Sequence, residues 1–359
     1  MILYKIINRL NLIKPDVMKN IICIIIFTCL LSCQHKTQTP VAETNTEVQT
    51  GNIKLIPIET PVGKFKVWTK RVGNNPTIKV LLLHGGPACT HEYFECFENF
   101  FPHENIEFYY YDQLGAYYSD QPADTSLWHL ERFVEEVEQV RKALNLDKNN
   151  FYLLGHSWGG ILAMQYALKY QSNLKGLIIS DMMSSAPKYG KYAEDVLSKQ
   201  MDAKIVDTIR TIEANKDFSN PTYMRLLTPN FYEKHICRFP ADEWPDPVKR
   251  TFKHLNNIIY TQMQGPSEFG IAGNLANWDV SDLLKNITTP TLTIGAKYDS
   301  MDPEFMKWMA SQFPNGSYLY CANGSHMCMY DDQQTYFKGL IKFIKAVDKG
   351  EKKVSLSEL

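Results

Sequence analysis

A ten-residue segment in the middle of the chain, 151–160, constrains the fold most: Phe-Tyr-Leu-Leu-Gly-His-Ser-Trp-Gly-Gly. Its four apolar residues predict a strand, and the apolar pattern after Gly160 predicts a helix that begins at once. A serine between two glycines at such a strand-to-helix turn is the setting of an exposed nucleophile. We expect Gly155 and Gly159 to leave room where a side chain would collide with a neighbouring strand or helix. Ser157 is therefore the candidate nucleophile.

Strand-like and helical patterns alternate along most of the chain. The predicted strands are 53–58, 65–70, 78–83, 106–111, 151–154, 174–180, 290–295 and 317–322. The predicted helices include the amphipathic segments 127–146, 303–313 and 333–347. The first two strands are expected to form a hairpin that turns at 61–63. Short apolar strands alternating with helices predict an α/β fold, with a mostly parallel twisted sheet covered by helices on both faces.

The segment 184–278 interrupts this alternation. It has helical patches at 192–210, 221–231 and 247–263, many aromatic residues and prolines, and no clear strand. An insertion at this point lies over the carboxyl edge of the sheet, where open α/β folds bind their ligands. The sequence thus predicts a core made of 53–183 and 279–350, with 184–278 as a helical cap over the active site.

Chain order then selects the partners of Ser157. In the α/β-hydrolase arrangement the nucleophile comes first, the acid second and the histidine last. Asp299 follows the predicted strand 290–295 and is the preferred acid. Asp181 follows strand 174–180 and is a second contender, because some hydrolases take the acid from that strand. Asp302 precedes a proline and is expected to cap the next helix instead.

His326, in the loop after the last predicted strand, is the candidate base. His235 and His254 also follow Ser157, but they fall in the cap and are expected to be surface or packing residues. A serine hydroxyl is a weak nucleophile until a base takes its proton, and an acid holds the imidazole in the correct tautomer. The backbone N–H groups of Trp158 and Gly86 are the expected donors to the substrate oxyanion.

Composition excludes several other classes of function. The formal net charge of −1 leaves no basic surface for nucleic acid. Five cysteines follow Cys33, and their spacing to one another and to histidine is unlike that of zinc sites. They are expected to be small buried hydrophobes, with a Cys321–Cys328 disulfide as a lesser alternative. No metal or other cofactor is predicted.

The N-terminus predicts a lipoprotein signal. Basic residues precede an apolar run, 21–31, which is too short to span a bilayer and is typical of a signal-peptide core. The run ends in Leu-Leu-Ser-Cys33, which resembles a bacterial lipobox, so residues 1–33 are the predicted signal and Cys33 the lipidation site. Met18 is an alternative start. The polar segment 34–52 is expected to be a flexible tether. We therefore expect a lipid-anchored protein, in the outer membrane if the cell has one.

Four motifs together resemble the proline iminopeptidases, on the branch that includes the peptidase partner of the archaeal tricorn protease. They are His84-Gly-Gly-Pro87, Tyr111-Asp-Gln-Leu-Gly115, Gly155-His-Ser-Trp-Gly-Gly160 and Gly265-Pro-Ser-Glu-Phe269. The resemblance covers residues 53 to 347. It implies a serine peptidase that releases an N-terminal residue, preferably proline, from short peptides through a Ser-His-Asp triad and an acyl-enzyme.

The resemblance also implies that the cap supplies acidic residues for the free α-amino group of the substrate. Glu268 matches one of them, and the second falls at Asp242 or Glu243, which the sequence does not separate. Carboxylates at a fixed distance from the serine would pair with the free ammonium group and so place the first residue of a peptide at the serine. The alternative function is a serine esterase, lactonase or amidase acting on a small acyl substrate.

The chain departs from the family pattern at two turns. Ala88 replaces the glycine that usually follows His-Gly-Gly-Pro, and Ala116-Tyr117-Tyr118-Ser119 displaces a second glycine. Both departures are expected near the mouth of the pocket and away from the triad.

Overall fold

The computed structural model describes residues 52–356, so the predicted signal, Cys33 and the tether before Asn52 lie outside the described residues. Eight strands form one sheet in the order β1-β2-β4-β3-β5-β6-β7-β8. The strands are β1 Ile53–Thr60, β2 Gly63–Val72, β3 Lys79–Leu83, β4 Glu107–Asp112, β5 Phe151–His156, β6 Gly176–Ser180, β7 Thr291–Ala296 and β8 Gly316–Cys321.

The sheet is mostly parallel, as the sequence predicts. β1 and β2 form the expected antiparallel hairpin, and β2 is also antiparallel to β4. All the other neighbouring pairs, from β4 through β8, are parallel. The carboxyl ends of the parallel strands therefore lie at one edge, which is where the candidate site residues follow their strands.

Apolar residues on both faces of the strands explain why the sheet is covered on both sides. In β3, Val80 and Leu82 belong to one hydrophobic core, while Leu81 and Leu83 belong to the other. Successive side chains of a strand point to opposite faces, so an uninterrupted apolar strand needs two covering layers. The covering α-helices of the core are α1 Leu130–Ala143, α2 Trp158–Tyr170, α8 Pro303–Gln312, α9 Cys328–Asp331 and α10 Gln333–Asp348.

Helix α1 is shorter at both ends than the predicted segment 127–146. A 3-10 turn, Thr125–Leu127, precedes it and is capped by the Asp124 carboxylate, which accepts from the N–H of Ser126. At the other end Asn145 adopts a left-handed conformation with φ 53°. Asparagine tolerates this conformation better than most residues, so the helix stops before the apolar pattern does.

Between β6 and β7 the described chain contains helices and no named strand. The α-helices are α3 Ala186–Tyr192, α4 Ala203–Ala214, α5 Pro221–Leu227, α6 Asp246–Lys253 and α7 Asn257–Met263. Ser185 and Asp279 pair in an isolated antiparallel bridge where this segment leaves and rejoins the core. Ser185 is the second residue of the predicted cap, 184–278, and Asp279 is the first residue after it.

The predicted cap helix 247–263 is wrong as a single helix. α6 ends at Lys253, and the Asn256 side chain then accepts from the N–H groups of Ile258 and Ile259 to begin α7. Asparagine is a strong N-cap, and this local signal overrides the continuous apolar pattern. None of the helices within residues 52–356 is both long enough and apolar enough to cross a membrane.

Candidate active site

Ser157 occupies a strained turn between β5 and α2. Its backbone has φ 55° and ψ −129°, a conformation that L-residues rarely adopt. A side chain at Gly155 would overlap the carbonyl oxygen of Gly159, and one at Gly159 would overlap that of Leu83. The predicted steric role of the two glycines is therefore confirmed. Gly85, in the turn after β3, is also required: a Cβ there would lie 2.9 Å from the Cβ of Ser157.

Trp158 is the first residue of α2, so its backbone N–H has no acceptor inside the helix. The positive end of the helix dipole adds to the attraction of this N–H for an anion. The side chain of Trp158 is buried, and its indole N–H donates to the Gln113 side-chain oxygen over 2.9 Å. The start of the helix is thus anchored to the loop after β4.

The second expected oxyanion donor lies in the turn after β3. Burial lowers the pKa of His84 to about 4, so its ring is neutral. Its Nε2 accepts from the N–H of Gln113 over 3.1 Å, so the proton is on Nδ1, which donates to the carbonyl oxygen of Gly85 over 2.9 Å. The C=O of Gly85 and the N–H of Gly86 belong to one trans peptide, in which the two groups point in opposite directions. Because the C=O is held by the His84 ring, the N–H of Gly86 points away from that ring in a fixed orientation.

His326 and Asp299 form a buried pair. The Nδ1 atom of His326 lies 2.8 Å from an Asp299 carboxylate oxygen, and both side chains are almost fully buried. Burial alone would lower the pKa of His326. The charge and hydrogen bond of Asp299, with a further contribution from Glu268, instead raise the pKa above its ordinary value of 6.5. This arrangement leaves Nε2 of His326 available for the proton of Ser157.

The structure separates the three aspartates considered as the acid. Asp181 contacts the Ser180 hydroxyl at 2.7 Å and the Cys328 thiol at 3.1 Å instead of His326. Burial and the negative charge of Asp299 raise the pKa of Asp181 well above its ordinary range. Asp302 accepts from the N–H of Glu304 at the start of α8, which is the capping role predicted for it.

Ser157, His326 and Glu268 lie on one pocket that encloses about 300 Å³, part of it open to solvent. It is lined by Gly85, Gly86, Cys89, Tyr93, His156, Ser157, Ile236, Phe252, Glu268, His326 and Met327. Core residues from the carboxyl ends of β3 and β5 form one wall, and the cap residues Ile236, Phe252 and Glu268 form another. The pocket is therefore built by both parts of the chain.

Glu268 is a buried carboxylate held by tyrosines. The hydroxyl of Tyr260 donates to its carboxylate over 2.6 Å, and its own N–H donates to the hydroxyl of Tyr232 over 3.1 Å. Burial raises the pKa of Glu268, an effect that the positive charge of His326 partly opposes. Although a buried carboxylate without a cationic partner is costly, an ammonium group entering the pocket would supply that partner.

Asp242 and Glu243 occupy a different environment. Both are exposed on a short 3-10 turn, and neither is among the residues that line the pocket. Their expected role in binding the substrate amine remains a prediction that this placement does not support.

One cap histidine has a position that the sequence did not indicate. The carbonyl of His235 accepts from the N–H of His326 over 3.0 Å, and its ring lies 2.9 Å from the carbonyl oxygen of Tyr298, next to Asp299. His254, by contrast, stacks on Tyr117 and contacts Glu92, as expected of a packing residue. His326 was favoured because the other two histidines fall in the cap, and that reasoning gave no indication that His235 contacts the catalytic loops.

The two departures from the family pattern fall where the backbone favours glycine. Ala88 has φ 59° and Tyr117 has φ 26°. These conformations explain why glycine is usual in this part of the fold.

All five described cysteines are free and buried, so a Cys321–Cys328 disulfide is excluded. Among residues 52–356 no group of three or more His, Cys, Asp or Glu side chains is arranged to hold a metal ion.

The serine turn, the histidine after the last strand and the eight-stranded sheet define a hydrolase of the α/β-hydrolase fold. The family model for this fold matches residues 79–333. Two solved structures share the fold. One is a proline iminopeptidase from Mycobacterium smegmatis, with a TM-score of 0.71 and 25% identity over 82% of this chain and 99% of that chain. The other is VinJ, with a TM-score of 0.75 and 24% identity over 81% of this chain and 98% of that one.

Curated relatives identify the family within this class of hydrolases. The proline iminopeptidase of Flavobacterium johnsoniae is 64% identical over 82% of this chain and 98% of its own. That of Elizabethkingia meningoseptica is 62% identical over the same shares, and that of Saccharolobus solfataricus is 36% identical over 75% of this chain and 85% of its own. The chain belongs to the proline iminopeptidase family and is a serine aminopeptidase.

Proposed function

We propose that the protein releases N-terminal residues, preferably proline, from short peptides, with Ser157 as nucleophile. The observation that carries this proposal is the buried Glu268 carboxylate on the same pocket as Ser157 and His326. A general acyl-transfer site has no need of a buried anion beside its nucleophile. A site for a peptide with a free N-terminus does, because the α-ammonium must be paired when it leaves water.

In the proposed reaction, neutral His326 takes the proton of Ser157 as the serine oxygen attacks the carbonyl carbon of the first residue. Asp299 holds the proton on Nδ1 of His326 and stabilises the imidazolium that forms. The tetrahedral intermediate collapses when His326 gives its proton to the leaving amine, and the rest of the peptide departs. Water, activated by the same histidine, then hydrolyses the acyl-enzyme.

The N–H groups of Trp158 and Gly86 are proposed to receive the oxyanion. The first is a free donor at a helix N-terminus, and the orientation of the second is fixed by the His84 contact to Gly85. Donors that are already oriented need no reorganisation as charge develops, so they stabilise the transition state more than water does.

The experiment that tests the function compares prolyl-naphthylamide with other aminoacyl-naphthylamides, N-acetylprolyl-naphthylamide and p-nitrophenyl acetate. Wild-type protein should hydrolyse the free-amine prolyl substrate fastest and leave the acetylated form intact. Glu268→Gln should lose about 10²-fold in kcat/KM on the prolyl substrate, because a charge-assisted contact is removed, while keeping its activity on the acetate ester. Glu135→Gln is the matched control, because Glu135 is a half-buried residue of α1 that pairs with Lys169 and is not among the residues lining the pocket.

Two outcomes would redirect the proposal. Equal loss on both substrates in Glu268→Gln would mean that the carboxylate supports the triad and does not recognise the amine. Ester turnover by wild-type protein that is indifferent to a free amine would favour the alternative, a serine esterase.

The second acidic position is tested by Glu243→Gln and Asp242→Asn, measured in the same panel. Both side chains are exposed and outside the pocket lining, so each variant should leave kcat/KM unchanged.

We also propose that the protein is anchored to a bacterial membrane by a lipid on Cys33. The support is sequence alone: a basic start, a short apolar run and the lipobox-like Leu-Leu-Ser-Cys33. Metabolic labelling with a palmitate analogue should mark the wild-type chain and leave Cys33→Ser unlabelled. Cys89→Ser, which alters a buried cysteine of the core, is the control, and label retained in Cys33→Ser would overturn the proposal.

A further inference from the structure

The polar groups of the His326 backbone are both held by specific partners. Its N–H donates to the carbonyl of the cap residue His235, and its carbonyl oxygen lies 2.8 Å from Nε2 of His156. His156 is the residue directly before Ser157, and its ring is buried. With Asp299 on Nδ1 of His326, only Nε2 of the proposed base is left for chemistry.

The contact with His326 fixes the tautomer of His156. A carbonyl oxygen only accepts, so Nε2 of His156 must carry a proton. Burial, reinforced by the nearby charge of His326, lowers the pKa of His156 well below its ordinary value, so the ring is neutral and its Nδ1 is bare. The Tyr93 hydroxyl, 3.0 Å away, must therefore donate to Nδ1.

The direction of the remaining hydrogen bond follows from the same argument. Because Tyr93 uses its proton toward His156, its oxygen is left as an acceptor, and the N–H of Gly85 donates to it over 2.7 Å. Gly85 opens the turn that carries the proposed oxyanion donor, Gly86. Three buried hydrogen bonds, all pointing one way, thus connect the oxyanion turn to the loop of the catalytic histidine through Tyr93 and His156.

We propose that Tyr93 and His156 form a positioning relay, which sets the oxyanion turn and the His326 loop in one geometry. The relay runs from the N–H of Gly85 through the Tyr93 hydroxyl and the His156 ring to the carbonyl of His326. Both relay side chains line the pocket beside Ser157. The proposal rests on the triad proposed above, but it is independent of the amine site.

Protonation of His156 would disrupt the hydrogen-bond directions in the relay. A protonated His156 would direct an N–H at the Tyr93 oxygen, so that the tyrosine proton would have to turn elsewhere. The titratable groups against this ring are Tyr93 and His326. Cys89, Cys96 and Asp181 act electrostatically on Tyr93. Burial keeps His156 neutral, so the hydrogen bonds of the relay keep the directions given above.

The test uses full-length protein and p-nitrophenyl acetate, so that failure of amine recognition does not affect the result. Tyr93→Phe removes only the hydroxyl and His156→Leu removes the ring. Each should lower kcat per titrated active site by about 10- to 100-fold, as small misplacements of catalytic groups do, with KM changed less than about threefold. His156→Gln retains an N–H donor and should recover part of the loss.

The double variant Tyr93→Phe/His156→Leu separates a relay from two unrelated structural roles. Members of one hydrogen-bonded unit are strongly non-additive, so the double variant should be no slower than the worse single variant. Tyr330→Phe is the matched control. It removes a hydroxyl that donates to the backbone carbonyl of Tyr93 over 2.8 Å, outside the relay, and should keep kcat within about twofold.

Three results would overturn the relay. They are a Tyr93→Phe enzyme with wild-type kcat per active site, multiplicative losses in the double variant, or losses that vanish once rates are divided by the titrated fraction of active enzyme. The titration uses a fluorophosphonate that labels Ser157. Absence of labelling in wild-type protein would instead reject the proposed nucleophile, which distinguishes failure of the function from failure of the relay.

Discussion

The N–H of His326 donates to the carbonyl oxygen of His235 over 3.0 Å, so the backbone of the cap directly holds the proposed catalytic base. The next pair along both segments repeats the contact, with the N–H of Met327 donating to Ile236 over 2.8 Å. Backbone N–H and C=O groups that leave water need hydrogen-bond partners, and these two bonds pair four such groups across the junction. The cap segment 235–236 is thus part of the catalytic geometry as well as part of the pocket wall.

Arg238 reinforces this junction and provides its test. Its guanidinium donates to the carbonyl of Asn323 over 2.8 Å and lies 3.6 Å from the ring centroid of Tyr298. Arg238→Met should therefore loosen the loops of both His326 and Asp299. We expect a loss of about 10-fold in kcat and of about 1 kcal/mol in the free energy of unfolding, measured by active-site-titrated kinetics and urea denaturation.

Arg225→Met is the control for that change, because Arg225 is an exposed arginine of the cap on α5. It should alter neither quantity. A kcat for Arg238→Met equal to that of the control would show that the backbone pairs hold the catalytic loop without the arginine.

The pH dependence of the reaction follows from the environment of His326. The base works only while neutral, and its pKa lies above 6.5 because Asp299 and Glu268 favour the charged form. Activity should therefore fall as pH drops through a value above 6.5. Glu268→Gln removes one of the negative charges, so the acidic limb of the pH–activity profile should move to lower pH. The profile is measured as kcat/KM for p-nitrophenyl acetate between pH 5 and 9.

A limb that stays in place in Glu268→Gln would show that the Glu268 charge does not reach His326. A limb that moves to higher pH would contradict the sign of the interaction. Glu135→Gln, which alters a carboxylate outside the pocket lining, serves again as the control and should reproduce the wild-type profile.

Sequence reasoning succeeded where a local pattern determines the outcome. The strand, the glycine turn and the helix around Ser157 are fixed by residues adjacent in the chain, and the steric need for Gly155 and Gly159 is visible in their spacing. The parallel sheet followed from apolar strands that must be buried on both faces. Chain order favoured Asp299, which contacts His326 in the structure, although its role as the catalytic acid stays a prediction. The capping role of Asp302 followed from the proline after it.

The unpredicted parts depend on contacts between distant segments. His235 lies 91 residues before His326, and Tyr93 lies 63 residues before His156. No periodicity in either segment encodes such a pairing. The Asp242 or Glu243 assignment came from the family resemblance and stays a prediction, while the 3-10 turn at Ala241–Glu243 leaves both carboxylates exposed. The exposure of a side chain at a turn depends on tertiary packing, which a sequence motif does not contain.

The two contenders for the catalytic acid differ in their partners, which makes them separable. Asp181 contacts the Ser180 hydroxyl and the Cys328 thiol, and burial together with the charge of Asp299 raises its pKa well above the ordinary range, while Asp299 contacts His326. Asp181→Asn leaves the pair of Asp299 and His326 intact and should keep kcat within about threefold. Asp299→Asn should lose about 10³- to 10⁴-fold, because the imidazole tautomer is no longer held. Comparable losses in the two variants would return Asp181 to the mechanism.

The close approach of Gly85 to Ser157 gives the most direct steric test of the site. A methyl group at Gly85 would lie 2.9 Å from the Cβ of Ser157 and 3.4 Å from its hydroxyl oxygen, so one of the two turns must move. Gly85→Ala should lower kcat/KM by about 10²-fold or more, since the nucleophile and the oxyanion turn separate. Gly190→Ala, inside α3 and with open space around the new methyl, should keep full activity and gain roughly 1 kcal/mol of stability. Wild-type activity in Gly85→Ala would mean that the turn after β3 yields freely, and the proposed fixed oxyanion geometry would then be wrong.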